Sequence, residues 1–552
     1  MDQMELFYQR FCKVGFDERG VLSSFTPDYP ETYNFGFDVV DEIARMDPNR
    51  RALLWCNLLG EEKTFSFSDI SRASNQVANM LRDCGVKKGD KVMLILKRNY
   101  QFWFSMIALH KLGAVAIPAT NLLTTKDLVY RFQAADVNAI IVTADCPVAQ
   151  YVDEAQPQCP SLKTKLIVRG EREGWVSFDS RMQEYPDTFP RGETLATDPM
   201  LMYFTSGTTG YPKMVLHDQT YSIGHIITAL FWHNIKPGGL HLTVSETGWG
   251  KAAWGKLYGQ WIAGATVFVY DFDKFVPDDL LHKIEKYRIT TFCAPPTIYR
   301  FFIKEDLSKY DLSSLKYATT AGEALNPEVF NRFYEYTGLK LMEGFGQTET
   351  TLLLTNLVGT KPSPGSMGKP SPMYDVVLVD EDGAEVSPGV VGEICVRTKP
   401  GQKQVGLFMG YYRDEEKTAQ AWHDNLYHTG DTAWKDEEGY FWYVGRTDDV
   451  IKASGYRIGP FEIESVLMEH PAVMECAVTG APDPVRGQVV KATIVLTKNY
   501  VPSEELVKEL QTYVKKQTAP YKYPRIVEFM EELPKTISGK IRRVELRGKS
   551  NG

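Results

Sequence analysis

The run Thr205-Ser206-Gly207-Thr208-Thr209-Gly210-Tyr211-Pro212-Lys213 concentrates what a bound anion needs. Gly207 and Gly210 let backbone N–H groups close around an anion with no Cβ in the way. The hydroxyls of Thr205, Ser206, Thr208 and Thr209 add donors, and Lys213 adds a point charge. The segment reads as a phosphate loop, with a polar surface turn as the plain alternative. It is not the loop of the P-loop NTPases: Pro212 precedes the lysine, and Met214 stands where that motif needs a Ser or Thr for magnesium. The nine histidines form no H-E-x-x-H pattern, and hydrogen-bonded structural histidines are the reading, so none of them is expected to hold a metal. The eight cysteines include no C-x-x-C pair, which points to reduced, buried thiols. Trp249, Trp254, Tyr258 and Trp261 make an aromatic cluster, for which plain core is the simple reading.

Such a loop needs a rigid frame. The spacing predicts a helix capped by Ser68, with Ile70, Ala73, Val77 and Leu81 on its apolar face and Gly85 at its end, followed by a buried strand over 92–96. A helix over 100–112 stopped by Gly113, a strand over 115–117, a helix near Arg131 and a strand over 138–142 repeat the pattern. This alternation predicts a largely parallel α/β sheet. From about 374 to 445 the texture changes to short β runs separated by Asp382-Gly383 and Pro388-Gly389 turns, which predicts a small β subdomain. After Asp448-Asp449 a helix over 461–469, strands over 475–478 and 492–496, a helix from Ser503 and a strand over 526–529 make a compact α+β unit. The expected organisation is a large N-terminal α/β domain (1–447) with a β-barrel-like subdomain, and a small mobile C-terminal domain (448–552).

At 552 residues the chain exceeds one core, because single cores stop growing at roughly 250–300 residues. A net charge of −8 gives no basic face for a polyanion, so nucleic acid is not an expected partner. The start Met1-Asp2-Gln3-Met4-Glu5 is acidic and lacks an apolar stretch, and runs such as 261–270 are too short to span a bilayer. A cytoplasmic protein with no membrane span is expected.

Beyond the phosphate loop, more motifs occur in the order of the adenylate-forming superfamily of acyl-CoA synthetases, luciferases and adenylation domains. They are Ala321-Gly322-Glu323-Ala324, Glu343-Gly344-Phe345-Gly346-Gln347-Thr348-Glu349, Tyr427-His428-Thr429-Gly430-Asp431, Gly445-Arg446-Thr447-Asp448-Asp449 with Ser454-Gly455-Tyr456-Arg457-Ile458, and Pro534-Lys535-Thr536-Ile537-Ser538-Gly539-Lys540. The chain resembles that superfamily from about residue 36 to 547, and medium-chain acyl-CoA synthetases most. The resemblance implies an ATP-dependent carboxylic acid:CoA ligase. In it Gly322, Glu323, Glu343, Gly344 and Gln347 line the nucleotide, Phe345 stacks on adenine, Thr348 touches the α-phosphate and Glu349 holds magnesium. Asp431 and Arg446 meet the ribose, Asp448 is a hinge, and Lys540 is the catalytic cation. CoA would be met by Ser454, Gly455, Tyr456, Arg457, Arg486 and Tyr523.

The implied chemistry is attack of a carboxylate on the α-phosphorus with pyrophosphate leaving, then transfer of the acyl group to the CoA thiol. Bringing an anion against a polyanion calls for cations and oriented donors rather than a protein nucleophile. The resemblance also implies an acyl pocket of Trp249, Gly250, Lys251, Trp254, Cys293 and Gly346, with no role assigned to Lys251. Acetate-specific relatives carry tryptophan where Gly346 stands, so glycine is expected to open the site to short and medium, including branched, acids. A peptide-synthetase module, a non-catalytic nucleotide-binding protein and a luciferase-like oxygenase are the competing readings. A homo-oligomer is left open.

Overall fold

The computed structural model describes residues 3–205, 211–399, 401, 404–453, 456–535 and 541–548. Its frame is two large sheets. One has eight strands and includes Lys91–Ile95, Val115–Pro118 and Val137–Thr143, pairing in parallel, with Pro199–Thr205 and Lys213–Asp218 continuing it as an antiparallel pair. The other has nine strands, with Leu240–Thr243, Thr266–Asp271, Thr291–Ala294, Tyr317–Thr320 and Leu341–Phe345 as its parallel core. The central strands of both are buried along almost their whole length, Asn138 being the one partly exposed position in the strands Val115–Pro118, Val137–Thr143, Thr266–Asp271 and Thr291–Ala294, as suits strands covered on both faces. Alternation of helix and strand in the sequence thus did mark a largely parallel α/β architecture.

The first long helix runs Phe67–Asp83, and its cap is Ser66 rather than Ser68. The Ser66 hydroxyl accepts from the Asp69 N–H at 3.1 Å while the Asp69 carboxylate accepts from the Ser66 N–H at 2.9 Å. This reciprocal box needs an acid three residues after the cap, and Ser68 has Ser71 there. The next helix, Gln101–Leu112, ends where Gly113 takes φ 69°, a left-handed conformation costly for other residues.

Beyond the two sheets, Asp375–Val379, Gly392–Arg397, Leu426–Lys435 and Phe441–Arg446 form an antiparallel sheet. A smaller C-terminal domain follows, in which Gly487–Leu496 pairs with Val473–Asp483, Ile526–Phe529 and Ile451–Ala453, and the helices Pro460–Glu469 and Glu504–Gln517 pack together. The helix Pro460–Glu469 also meets the large domain. The Asn326 amide donates to the Ser465 carbonyl at 3.1 Å, and the Tyr443 and Phe461 rings meet edge to face at 6.0 Å.

Candidate active site

Thr205 and Lys213 are ladder partners at the ends of an antiparallel pair, and 206–210 lie outside the described residues. Lys213 is thereby fixed at the strand end. Its ammonium donates to the Tyr411 hydroxyl at 2.9 Å and lies 4.4 Å from the centre of the same ring. Tyr411 in turn donates to Glu349 Oε1 at 2.9 Å. Burial lowers the Lys213 pKa from its ordinary value, with the Glu349 carboxylate opposing that shift. Lys213, Tyr411 and Glu349 therefore form one connected line from the phosphate loop to the expected magnesium ligand. No described cation lies within ion-pair distance of Glu349, which is buried.

The segment after the strand Leu341–Phe345 carries Gln347 and Thr348. The His217 ring, from the Lys213–Asp218 strand, donates through Nε2 to the Thr348 carbonyl at 2.7 Å. Burial depresses the His217 pKa to about 4, so near neutral pH the ring is an uncharged donor. Gly250 lies on the other side of Thr348, where an added Cβ would sit 3.6 Å from the threonine hydroxyl.

Asp431 and Arg446 face each other in the ladder between Leu426–Lys435 and Phe441–Arg446, which brings an Arg446 guanidinium nitrogen 3.4 Å from Asp431 Oδ2. The Gln347 amide donates to the same carboxylate, and Tyr443 donates to Oδ1 at 3.1 Å. Tyr427 donates to Gln347 Oε1 at 2.7 Å. Asp431, Gln347 and Arg446 thus come together, and the Asp431 carboxylate accepts from Gln347, Tyr443 and Arg446. The Phe345 ring is tilted toward Tyr443 at 6.4 Å.

Glu343 turns inward. One carboxylate oxygen accepts from the Leu325 N–H at 3.2 Å, the other has no described partner, and burial raises its pKa well above the usual range. Glu323 accepts from Thr297 at 2.8 Å and from Arg300 at 3.3 Å, and Gly322 adopts φ 104°. The two glutamates of the nucleotide motifs therefore both have protein roles, one in the core and one in a surface network.

On the apolar side the helix Gly250–Gly255 carries Lys251 and Trp254, with Trp249 as its cap. The Lys251 ammonium donates to the Ala321 carbonyl at 2.6 Å, and burial lowers its pKa, with Cys293 and Glu323 opposing. Cys293 is buried at the end of its strand. Gly346 does not simply open space. A Cβ there would meet the Trp254 ring at 2.4 Å and the Thr351 carbonyl at 2.4 Å, so the indole already fills the room that glycine leaves. Tyr258 and Trp261 are core: both are fully buried, and the Trp261 indole donates to the Ala52 carbonyl at 3.0 Å.

Of the expected CoA residues, Tyr456 is exposed and stacks on Tyr521 at 4.1 Å. Tyr523 lies under Lys515 at 3.9 Å and accepts from Arg525 at 2.8 Å. The bridge between Ala453 and Gly487 sets Arg486 beside the segment that leads to Tyr456. Ser454, Gly455, Lys540 and the Arg457 side chain lie outside the described residues. Asp448 sits in the turn after the strand Phe441–Arg446, 4.0 Å from Arg446. Tyr411, Tyr443 and His217 were not among the residues picked out by motif. Each reaches the site from a different strand, and no local spacing marks them.

The motif residues converge on one polar cluster beside the apolar helix Gly250–Gly255, and comparison with known proteins says which family this arrangement belongs to. Residues 40–412 match the family described as AMP-binding enzyme, and residues 462–540 match the AMP-binding enzyme C-terminal domain. The chain belongs to the AMP-binding enzyme family. It is 45% identical over 530 residues to the mitochondrial acyl-coenzyme A synthetase ACSM3 of Pongo abelii, covering 94% of this chain and 90% of that protein. Homo sapiens ACSM4, also named a mitochondrial acyl-coenzyme A synthetase, is 44% identical over 529 residues, with the same 94% and 90% coverage. Among solved structures, the anthranilate CoA ligase AuaEII in complex with anthranoyl-AMP superposes with a TM-score of 0.86 at 30% identity, covering 94% of this chain and 98% of that one. Within the family this chain is an acyl-CoA synthetase, an adenylate-forming ligase. The expected cytoplasmic location is overturned by these relatives, which are named as mitochondrial. An acidic stretch reports only its own composition, not the compartment in which the folded enzyme works. No described helix is long and apolar enough to cross a membrane.

Proposed function

We propose that the enzyme activates a short to medium, straight or branched fatty acid in the mitochondrion, with residues assigned as follows. The loop 205–213 and Lys213 hold the β- and γ-phosphates, Thr348 meets the α-phosphate, and Asp431 with Arg446 holds the ribose. Phe345 covers adenine beside Gly322, Gly344 and Gln347. Glu349 would hold magnesium, which when bound supplies positive charge against the phosphate oxygens. Its fit rests on a buried carboxylate with one hydroxyl donor and no described ion-pair partner, an arrangement that favours a cation. Trp249, Gly250, Lys251, Trp254, Cys293 and Gly346 line the acyl side, with the Trp254 indole as its wall.

The chain's own groups do this work by position and charge. His217 holds the Thr348 carbonyl and so fixes the turn that faces the reacting phosphorus. Tyr411 keeps Lys213 and Glu349 in register. Lys540, carried by a C-terminal domain that begins near 448, supplies the last cation, and rotation about Asp448 then brings the segment 454–457, with Arg486 and Tyr523, toward CoA. The observation that supports this reading most is the convergence of motifs far apart in sequence through the Lys213–Tyr411–Glu349 and Gln347–Asp431–Arg446 contacts.

The test is AMP release with and without CoA over a panel of carboxylic acids. CoA-dependent AMP and acyl-CoA formation with acids of roughly four to eight carbons is expected. AMP release indifferent to CoA, or light emission with an adenylated substrate, would overturn the reading.

A further inference from the structure

The antiparallel sheet beside the ribose motif carries a second group of chemically able side chains with no part in the mechanism above. Glu393 and Cys395 lie two residues apart on Gly392–Arg397, so both point to one face of that strand, and the register sets Cys395 directly opposite His428 on Leu426–Lys435. Cys395 Sγ is 3.4 Å from His428 Nδ1, and the same Nδ1 is 3.1 Å from Glu393 Oε2. All three ligand atoms lie within 4.8 Å of one another.

The arrangement excludes one obvious alternative. A nucleophilic triad would place the thiol and the carboxylate on opposite ring nitrogens, so that one orients the ring and the other gives up a proton. Here both sit on Nδ1, while Nε2 is buried with no described hydrogen-bond partner. Donors converging on a point is what a metal ion asks for.

The distances suit a particular class of ion. A tetrahedral zinc ion with sulfur at about 2.3 Å and nitrogen or oxygen at about 2.0–2.1 Å has ligand-to-ligand edges of roughly 3.3–3.6 Å. Thiolate, imidazole and carboxylate together favour zinc over magnesium or calcium, which take oxygen. A fourth ligand is at hand. The two-residue turn Asp424-Asn425, with both residues at positive φ, folds His423 back so that its ring stacks on His428 at 3.8 Å. His423 is exposed, giving the ion a route from solvent, and its Nδ1 meets the Asp424 carboxylate at 2.9 Å, a contact that is given up when the ring turns toward the ion. Cys395 itself is fully buried, which shields a metal–sulfur bond from exchange.

We propose that Glu393, Cys395, His428 and His423 bind one zinc ion, distinct from the magnesium expected at Glu349. The thiol proton is released to solvent as the ion binds. The site bears on the nucleotide side, because Glu393 uses its other oxygen to accept from the Gly430 N–H at 2.8 Å, one residue before Asp431. The ion thereby stiffens the turn that presents the ribose carboxylate.

The test uses full-length enzyme stripped with a chelator and titrated with Zn²⁺ by calorimetry, and with Co²⁺ by absorbance. One equivalent of each should bind, with a near-ultraviolet thiolate-to-cobalt charge-transfer band and a higher Tm. Cys395→Ser should abolish the band, and His423→Ala, on an exposed hairpin that tolerates change, should weaken Zn²⁺ binding about tenfold or more. If Cys395→Ser does not fold, His423→Ala decides. Absence of saturable one-to-one binding, a band that persists in Cys395→Ser, or unchanged affinity in His423→Ala would each overturn the site. None of these readouts depends on ligase activity, so failure here leaves the proposed function untouched.

Discussion

The nucleotide side and the acyl side of this site are built on opposite principles. Around Asp431 and Glu349, polar groups hold one another: Gln347, Tyr443 and Arg446 occupy the ribose carboxylate, and Tyr411 spans Lys213 and Glu349. Around Trp254, shape decides: the indole lies where a Gly346 Cβ would be and meets the Trp232 ring edge to face at 6.4 Å. A ligand can enter the first region by exchanging hydrogen bonds at small net cost, because each bond given up is replaced by another. It can enter the second only where volume already exists or is made, since packed interiors do not yield by degrees. On the proposed assignment, chemistry is thus set on one side and substrate size on the other.

The largest way to break this division is to remove Lys540, the cation that the proposed mechanism brings to the polar side. Lys540→Ala should abolish adenylate formation while sparing thioester formation from preformed acyl-adenylate. A unit charge about 4 Å from a developing anion is worth roughly 4 kcal/mol at an effective dielectric near 20, or on the order of a thousandfold in rate. Rapid-quench measurement of the two half-reactions checks this, and an equal loss in both would deny Lys540 a role confined to the first step.

Next in size is truncation of the apolar wall. Trp254→Ala should cost about 3–5 kcal/mol of stability, as large-to-small core changes do. It should also move the optimum to longer acids, each methylene in an apolar pocket being worth about 1–3 kcal/mol until the wall is met. The profile of kcat/KM from acetate to decanoate, taken with Tm, decides. A lower Tm with an unshifted optimum would make Trp254 plain core and move the size limit elsewhere.

The polar side should also be the acid-sensitive one. His217 is held neutral, its pKa depressed by burial from 6.5 to about 4. The unfolded ring therefore binds more protons than the folded one between those values, and stability rises with pH across that window. The contribution is fully present above about pH 6.5, is lost as pH falls toward 4, and amounts to about 3 kcal/mol. Buried His110, His225 and His241, each depressed to about 3, add to it in the same direction. Replacing His217 by Gln should flatten the fall of Tm with acid. An unchanged slope would mean that the other histidines carry it.

The same contrast explains what could be read from sequence. The alternating elements and the strand Ile526–Phe529 were legible because each depends on local order: a change of hydrophobic period, a short apolar run. The helix cap was misplaced by two residues because Ser66 and Ser68 both offer a hydroxyl and only the acid at Asp69 tells them apart. Gly346 and Trp254 were set in one pocket by resemblance, but that the indole presses on the space a Gly346 Cβ would take, from 92 positions earlier, comes only from tertiary packing. Tyr411 and His217 carried no local signal at all, since their partners Lys213, Glu349 and Thr348 are more than 60 positions away in the chain.

The smallest expected effect is the most diagnostic, because it removes one atom from the polar line and leaves the packing alone. Tyr411→Phe deletes the hydroxyl that accepts from Lys213 and donates to Glu349, yet keeps the ring over which the ammonium lies at 4.4 Å. Hydrogen bonds to charged groups are worth about 1.5–3 kcal/mol each, but both partners here remain able to meet water or nucleotide, so most of that is recovered. The net loss should be about 1.4 kcal/mol, a tenfold fall in the rate of adenylate formation. Thioester formation from preformed acyl-adenylate should stay within about twofold, because the second step needs no phosphate alignment, and Tm should hardly move, the apolar contacts of the ring being intact. If both half-reactions fall together, Tyr411 supports the fold of the site. If neither falls, Lys213 and Glu349 find their places without it, and the polar side is even more self-adjusting than its contacts suggest.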